Sequence, residues 1–527
     1  MSTSIVEQPT AALSGAPAAR RRGGRLSDPA AVAALAAVVS GAAAGRPSLW
    51  FDEGATISAS ASRSLPQLWR LLGHIDAVHG LYYLLMHGWF TLFPPTEFWS
   101  RVPSCLAVAT AAAGVVVFAK QFSSRTLAGC AGVLFAILPR TTWAGVEARS
   151  YALSAAAAVW LTVLLVSAAR RNRLRWWLGY AVALILAVLL NINLVLLVPV
   201  HGAVIPVVAR GNGPGTGKSA AARWAAASSV AVSMLIPFIV FAHGQIRQVG
   251  WISPLNWHNV IDVVQQQYFD RSVPFAVLAG VLIVAATVTV RTGARAPSRS
   301  TRSLVLVCTA WIVVPTAASL IYSAIGEPIY YPRYLTFTAP AMAVVLAAGV
   351  VTVARQRWAV AAVLILFAGA AFPNYLWTQR GPYAKEKGWD YSQVADVIAA
   401  HATPGDCLLV DNTVRWAPGP IRALLATRPA AFRPLIDVGR GARGPERGTL
   451  WDGHVAVWLV LDRLAKCATV WTISSRDKTL PDHQAGPSLP PGRLLGHAPA
   501  YQFAGELGFH IIERWQFHFA QVTKSIR

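Results

Sequence analysis

Two adjacent carboxylates, Asp52 and Glu53, stand at the end of an alanine-rich apolar run, in the stretch RPSLWFDEGAT. Carboxylates are costly beside hydrocarbon and mark function where they persist there; they are also side chains that can take or give a proton. Trp50 and Phe51 anchor the pair at an interface and Gly54 follows, so the acids sit where the chain leaves its first apolar helix. A solvated helix end is the competing account, and the aromatic anchors weigh against it. A second cluster, GVEARSYAL (145–153), alternates Glu147, Arg149 and Tyr151 just before another apolar run. An interfacial arginine paired with its neighbour explains it equally well. The third, GEPIYYPRYLTFTAP (326–340), flanks Arg333 with Tyr330, Tyr331 and Tyr334. The planar fork of an arginine suits a phosphate, with a structural carboxylate partner as the alternative. His79 and His87 share roughly one helix face with Tyr83; amphipathic packing accounts for them better than a metal site.

These residues are set in a chain built for a membrane. It has 527 residues, 55% hydrophobic and 13% charged, with a mean hydropathy of +0.46. Soluble domains carry about a quarter charged residues. Basic residues outnumber acidic ones, 46 to 23, for a formal charge of +23. The arginines cluster in short links between apolar runs, which fits cytoplasmic loops, and no basic-aromatic module of a nucleic-acid reader is present. The five cysteines are scattered without CxxC or Cys/His metal spacing.

Apolar runs near the roughly 20 residues needed to cross a bilayer fall at about 29–45, 101–119, 126–142, 150–168, 176–190, 192–209, 224–242, 273–290, 303–323, 335–354 and 358–377. HGLYYLLMHGWFTLF (79–93) is brief and reads as a helix lying in the interface. Arg20–Arg22 and Arg25 put the N-terminus inside. With eleven spans, the cytoplasmic links become Lys120–Arg125, 169–175, 209–223, 291–302 and Arg355–Arg357, all basic and free of acids. The opposite links hold Asp52, Glu53, Asp76, Glu97, Glu147, Asp262, Asp270 and Glu327 on one outer face. Of these, Glu97, Asp262 and Glu327 read as merely solvated. Arg333 is the one cation in its outer link, which is why an anion is expected beside it. GNGPGTGKSA (211–220) lacks the preceding strand and full spacing of a phosphate loop and reads as a linker.

The expected organisation is a disordered cytoplasmic tail (1–27) without a cleavable signal, a transmembrane domain (28–378) with an outer loop (45–100), and a small extracytoplasmic α/β domain (379–527). In the last, WDYSQVADVIAAHATPGDCLLVDN reads as a helix, a Pro-Gly turn and a buried strand, with further strands at 454–462 and 467–475. Cys407 and Cys467 each start a strand-like run; an oxidising compartment permits a disulfide, and two buried thiols are the alternative.

Taken together, the clusters resemble the membrane-embedded GT-C glycosyltransferases, specifically the family 39 type that includes protein O-mannosyltransferases and bacterial lipid A aminoarabinose transferases. The matching elements are Asp52-Glu53 after the first span, D-x-x-H-G-L-Y-Y-L-L from Asp76, E-x-R-x-Y from Glu147 to Tyr151, and PRYL at 332–335, in family order over roughly residues 45–345. Where many relatives read His-Pro-Pro, this chain has His79-Gly80. The resemblance implies a polytopic α-helical fold with about eleven spans, in the plasma membrane. It also implies a sugar donor on a polyprenyl phosphate and an acceptor that is a cell-envelope glycan, a glycolipid or a protein. By the same resemblance Asp52 is the catalytic base and Glu147 the second acid. Glu53 positions acceptor or base, and Arg333, with Arg149 as second candidate, holds the lipid phosphate. Asp76, His79, Tyr83, Tyr151 and Tyr331 complete the expected substrate site. No cofactor is fixed by these residues and a divalent metal stays open. Mannose is the favoured sugar and arabinose the runner-up. A transporter or a non-catalytic scaffold are the rivals, but the halves show no repeat and the polar groups gather at one face.

Overall fold

Runs of alanine, valine and leucine form helices here because backbone polar groups in hydrocarbon find partners only within a helix or a closed barrel. The computed structural model describes residues 27–209, 216–385, 388–414 and 419–527. The tail expected at 1–27 lies, apart from Ser27, outside the described residues, as does the first half of the 211–220 linker. The chain opens with α1 (Ser27–Gly41), followed by three short helices, α2 (Phe51–Ser60), α3 (Leu65–Leu72) and α4 (Gly80–Leu92). Then come α5 (Glu97–Lys120), α6 (Arg125–Ile137), α7 (Pro139–Ala144), α8 (Tyr151–Arg171), α9 (Leu174–Leu190), α10 (Leu197–Ala209) and α11 (Thr216–His243).

Among the described residues seven helices are long and apolar enough to cross a membrane: Glu97–Lys120, Tyr151–Arg171, Gly217–His243, Val273–Arg291, Arg299–Ile325, Pro332–Val353 and Arg357–Gln379. The pair α6 and α7 is apolar enough together but bent by 58°, the geometry of a broken span or a re-entrant loop. The cause of the bend is Pro139, which forces the preceding Leu138 into an extended conformation. Three shorter apolar helices, Ser27–Gly41, Leu174–Leu190 and Ile192–Val208, complete a set that matches the eleven apolar runs in order. The chain is a multi-pass membrane protein. Helix α4, with 13 residues, is too short to span and packs against α2 and α9. The middle of the bundle is made by α5, α8 and Pro332–Val353, while Val273–Arg291 and Arg357–Gln379 turn most of their surface outward. Small residues allow the close approach: a Cβ on Gly132 would lie 2.5 Å from Val116 and 2.6 Å from Val32.

The C-terminal part is a six-stranded sheet in the order β2-β1-β3-β6-β5-β4. Its strands are β1 (Cys407–Val410), β2 (Ile436–Asp437), β3 (Thr469–Ser475), β4 (His483–Leu489), β5 (His510–Gln516) and β6 (Ala520–Ile526). β1 pairs in parallel with β2 and β3, and the rest of the sheet is antiparallel. The helix Tyr391–His401 precedes β1, and a disulfide joins Cys407 to Cys467. The strand expected at 454–462 is not formed. Its buried residues Val457, Val460 and Leu464 recur at helical spacing while Trp458 and Leu459 are exposed, and the chain makes a 3-10 turn and a short helix.

Candidate active site

The loop that carries the acids is fixed from two sides. Arg380, which follows the last span, donates to the carbonyls of Val39, Ser40 and Ala42 and so meets the orphan acceptors at the end of α1. Arg101 in α5 is fully buried and spends all five of its N–H groups. They go to the carbonyls of Ala44, Pro47 and Ser48 and to both carboxylate oxygens of Glu53, at 2.6 and 2.8 Å. Trp50 is extended and α2 starts at Phe51, placing Asp52 and Glu53 in the first turn, where the helix dipole favours negative charge.

One turn of helix advances about 100° per residue, so the two acids face different surroundings. Glu53 is wholly buried; besides Arg101 it accepts from the Ala148 amide at 3.0 Å and lies 3.5 Å from the Lys385 ammonium. Burial would raise its carboxyl, but the charges of Arg101 and Lys385 outweigh burial and hold it below its ordinary value. Glu147 is equally buried, accepting from Lys385 Nζ at 2.7 Å and from the Trp50 indole at 3.0 Å. Here burial wins and the carboxyl is raised, with Lys385 opposing it. Lys385 also donates to the Val146 carbonyl. Four charged groups thus lock α2 to the 145–150 turn and to the segment leaving the last span.

Asp52 turns the other way. Its Oδ2 lies 3.3 Å from Arg333 Nη2 and 3.9 Å from Arg149 Nε, the latter beyond hydrogen-bond reach. Arg149 Nη1 donates to the Tyr83 hydroxyl at 2.9 Å, and Tyr83 donates to Asp76 Oδ2 at 2.8 Å. Nη2 of the same arginine is 3.4 Å from His79 Nε2. Burial and the two nearby guanidiniums, Arg149 and Arg333, push His79 well below its ordinary value, so the ring is neutral. Burial raises the Asp76 carboxyl against the pull of Arg149 and Tyr83. Asp76 has a left-handed backbone (φ 62°), and its amide and that of Ala77 are held by the side chains of Gln248 and Gln245. The Arg333 guanidinium is ringed by Tyr331 (4.7 Å), Trp50 (5.3 Å), Trp251 (5.4 Å) and Tyr334 (5.9 Å). Tyr151 stacks on Tyr334 at 6.3 Å.

Asp52, Asp76, His79, Tyr83, Arg149, Tyr151, Tyr331 and Arg333 therefore meet around one place, with Glu53 and Glu147 in the adjoining buried network. Glu97, expected to be solvated, is buried and accepts from Ser392 at 2.6 Å and Arg428 at 2.8 Å, because the C-terminal domain covers it. Glu327 is exposed as expected. Arg101, Lys385 and Trp251 were not singled out in the sequence. Arg46, Arg63, Arg70, Arg140 and Arg247 occupy the same outer links and further basic residues follow Lys385, so charge alone does not single out Arg101 or Lys385. Among the described residues no three His, Cys, Asp or Glu side chains converge as a metal-ligand set.

No family model matches the chain, and no curated protein sequence matches it. Among solved structures it is similar to ArnT from Cupriavidus metallidurans bound to undecaprenyl phosphate, with a TM-score of 0.53, 15% identity, and coverage of 94% of this chain and 97% of that one. The same protein in the apo state gives a TM-score of 0.53 at 14% identity, with the same coverage. At this identity the likeness is one of fold: the chain shares that protein's membrane fold and has a C-terminal sheet domain.

Proposed function

We propose that this chain is a glycosyltransferase that takes a sugar from a polyprenyl-phosphate donor at the outer face of the membrane. One observation carries the reading. Of two adjacent acids, Glu53 has its carboxylate saturated by a bidentate guanidinium, an amide and an ammonium, while Asp52 faces two guanidiniums more loosely, Arg333 at 3.3 Å and Arg149 at 3.9 Å. Asp52 is the acid left able to react. The fold likeness to a protein bound to undecaprenyl phosphate supports a lipid phosphate as the donor's handle.

In this reading the acceptor hydroxyl attacks C1 of the sugar while Asp52 takes its proton. The C1–O bond to the phosphate breaks and its electron pair leaves on the lipid phosphate, which Arg333 and Arg149 hold by exchanging their contacts to Asp52 for phosphate oxygens. A single displacement inverts the anomeric carbon. Glu53 and Glu147 position α2 and the 145–150 turn rather than move protons. Tyr83 and Asp76 orient Arg149, and Tyr151 and Tyr331 shape the walls.

Sidedness follows from the basic links at one face and the acids at the other. The Cys407–Cys467 disulfide supports an oxidising compartment for the C-terminal domain. Mannose is the sugar proposed, with arabinose its rival. The test is reconstitution in proteoliposomes with labelled polyprenyl-phosphate mannose or arabinose and a cell-envelope extract as acceptor. Loss of the base predicts a drop of about 10²-fold or more for Asp52→Asn; transfer at the unsubstituted rate by that variant removes the assignment.

A further inference from the structure

A second site lies behind α2. A cavity of about 370 Å³, within the size range of ligand pockets, opens between α2–α3 and the C-terminal domain. It is a built cleft. The loop 439–453 that forms its far wall is closed on itself by Gly441 N to Gly453 O (2.9 Å), Gly453 N to Ala442 O (2.8 Å) and Gly444 N to Asp452 Oδ1 (2.8 Å). The loop is then tied to the near wall by Arg63, which donates to Thr449 O at 2.6 Å, and by Ser58, which donates to Leu450 O at 2.6 Å. Gly419 is needed there, because a Cβ would sit 2.5 Å from the Trp451 side chain.

We infer that this cleft binds a neutral polyhydroxylated chain, and that it seats the acceptor glycan of the proposed transfer, a step that rests on that reading. Charge points to a neutral ligand. Arg422 forms a fork with Asp437 (2.6 and 3.0 Å) and Arg440 one with Asp452 (2.8 and 2.6 Å), while Arg443 and Glu446 supply one charge of each sign. The lining cations are thus matched by acids, and Arg63 in the near wall is turned to the carbonyls of Ser58, Thr449 and Leu450, which gives an anion little to gain. Paired guanidiniums and carboxylates still have donors and lone pairs to offer, and alternating donors and acceptors are what sugar hydroxyls match. Trp451 lines the same space and is half-buried, giving a flat face for the C–H side of a sugar ring.

Position links the cleft to Asp52. Phe51, Ser58 and Ser62 fall within a narrow sector of α2 and its extension, about 100° from Asp52. Trp451 packs against Phe51 with the rings tilted at 60° and their centroids 5.4 Å apart. Ser58 is six residues past Asp52, a rise of about 9 Å. A chain seated in the cleft must therefore round the start of α2 to bring its end to Asp52, which requires an acceptor of more than one sugar unit.

The test uses the full chain in lipid nanodiscs without donor, probed with neutral oligosaccharides of mannose, arabinose, galactose or glucose of increasing length. Saturation-transfer NMR and titration read the binding. Saturable binding that strengthens with length, persists with excess inorganic phosphate and survives in Asp52→Asn is expected. Arg443→Gln, an exposed position, should weaken it about tenfold, and Ala426→Trp, at a lining position that also borders the domain core, should abolish it in protein shown by its melting curve to be folded. Absence of saturable binding for every probe overturns the inference, as does competition by phosphate or full binding by Ala426→Trp. Transfer without oligosaccharide binding removes the cleft and keeps the enzyme; oligosaccharide binding without transfer does the reverse.

Discussion

Replacing Glu53 by Gln separates structure from chemistry at the acid pair. The substitution keeps shape and one acceptor but removes the counter-charge of Arg101, whose side chain is 0% exposed. Three of the five Arg101 donors go to carbonyls, which supply partial charge and no neutralisation. Breaking a buried ion pair from one side costs about 3–5 kcal/mol. Lys385, 3.5 Å from the lost charge, keeps Glu147 as its partner, so the loss falls on Arg101. Against a typical stability of about 5–15 kcal/mol, this is enough to lower the melting temperature by roughly 3–5 °C in a chain of this size. Asp52→Asn, by contrast, weakens a 3.3 Å contact to Arg333 and a looser 3.9 Å one to Arg149 at a side chain 12% exposed, at a cost of about 1.5–3 kcal/mol. Thermal melting by tryptophan fluorescence in detergent, beside the transfer assay, gives both axes. The expected result is a crossed pattern: Glu53→Gln melts low but transfers when folded, and Asp52→Asn melts close to the unsubstituted protein and does not transfer. A Glu53→Gln variant that melts normally, or that is folded and inert, refutes the division of labour.

Arg333→Lys keeps the charge but loses the planar fork that stacks among four rings, so KM for the donor should rise about tenfold with a smaller change in kcat, read by initial rates. Burial pushes the Asp390 carboxyl from 3.8 up to about 6, opposed by amide bonds from Ala520 and Phe519. A raised native value means the folded chain keeps a proton the unfolded chain has lost, so its stabilising contribution is full below about pH 4 and is lost by about pH 6. Asp390→Asn should remove that slope: its melting temperature relative to the unsubstituted protein should climb across this window, by the equivalent of about 3 kcal/mol, and stay level above it. Reduction, or Cys407→Ser with Cys467→Ser, opens a loop of 60 residues and should cost the C-terminal domain about 4 kcal/mol, seen as earlier melting.

The spans were legible because crossing hydrocarbon demands long apolar runs, and each of the eleven runs has its helix. Asp52, Arg149 and Arg333 could be read as neighbours because sidedness places the ends of distant spans on one face. What the sequence hid was which contacts saturate which acid. Nothing local distinguishes Glu53 from Asp52; the difference is Arg101, 48 residues on, and Lys385 beyond the last span. The C-terminal sheet was read half right for a related reason. β1 and β3 are continuous buried runs, whereas β4, β5 and β6 mix polar and apolar residues that gain sense only once paired. The segment 454–462 is apolar enough for a strand, but its buried residues Val457 and Val460 fall at helical spacing and it forms a 3-10 turn and the start of a short helix.

The acid pair works because it is adjacent, for a geometric reason. Neighbours on a helix diverge by about 100°, so two acids in one turn cannot both face one substrate. Turning Glu53 into the core to grip Arg101 fixes the rotation of α2, and that rotation aims Asp52 at Arg333. The grip extends outward: Ser48 Oγ accepts from Ser392 N at 3.0 Å, and Leu49 N donates to Ser392 Oγ at 3.2 Å. Ser392 lies in the first turn of the helix Tyr391–His401, so the loop carrying Asp52 is stitched to the C-terminal domain one residue before Trp50. A ligand that shifts that domain on α2 would reach Asp52 through the same few bonds. This gives the cleft behind α2 a mechanical route to the acid as well as a spatial one.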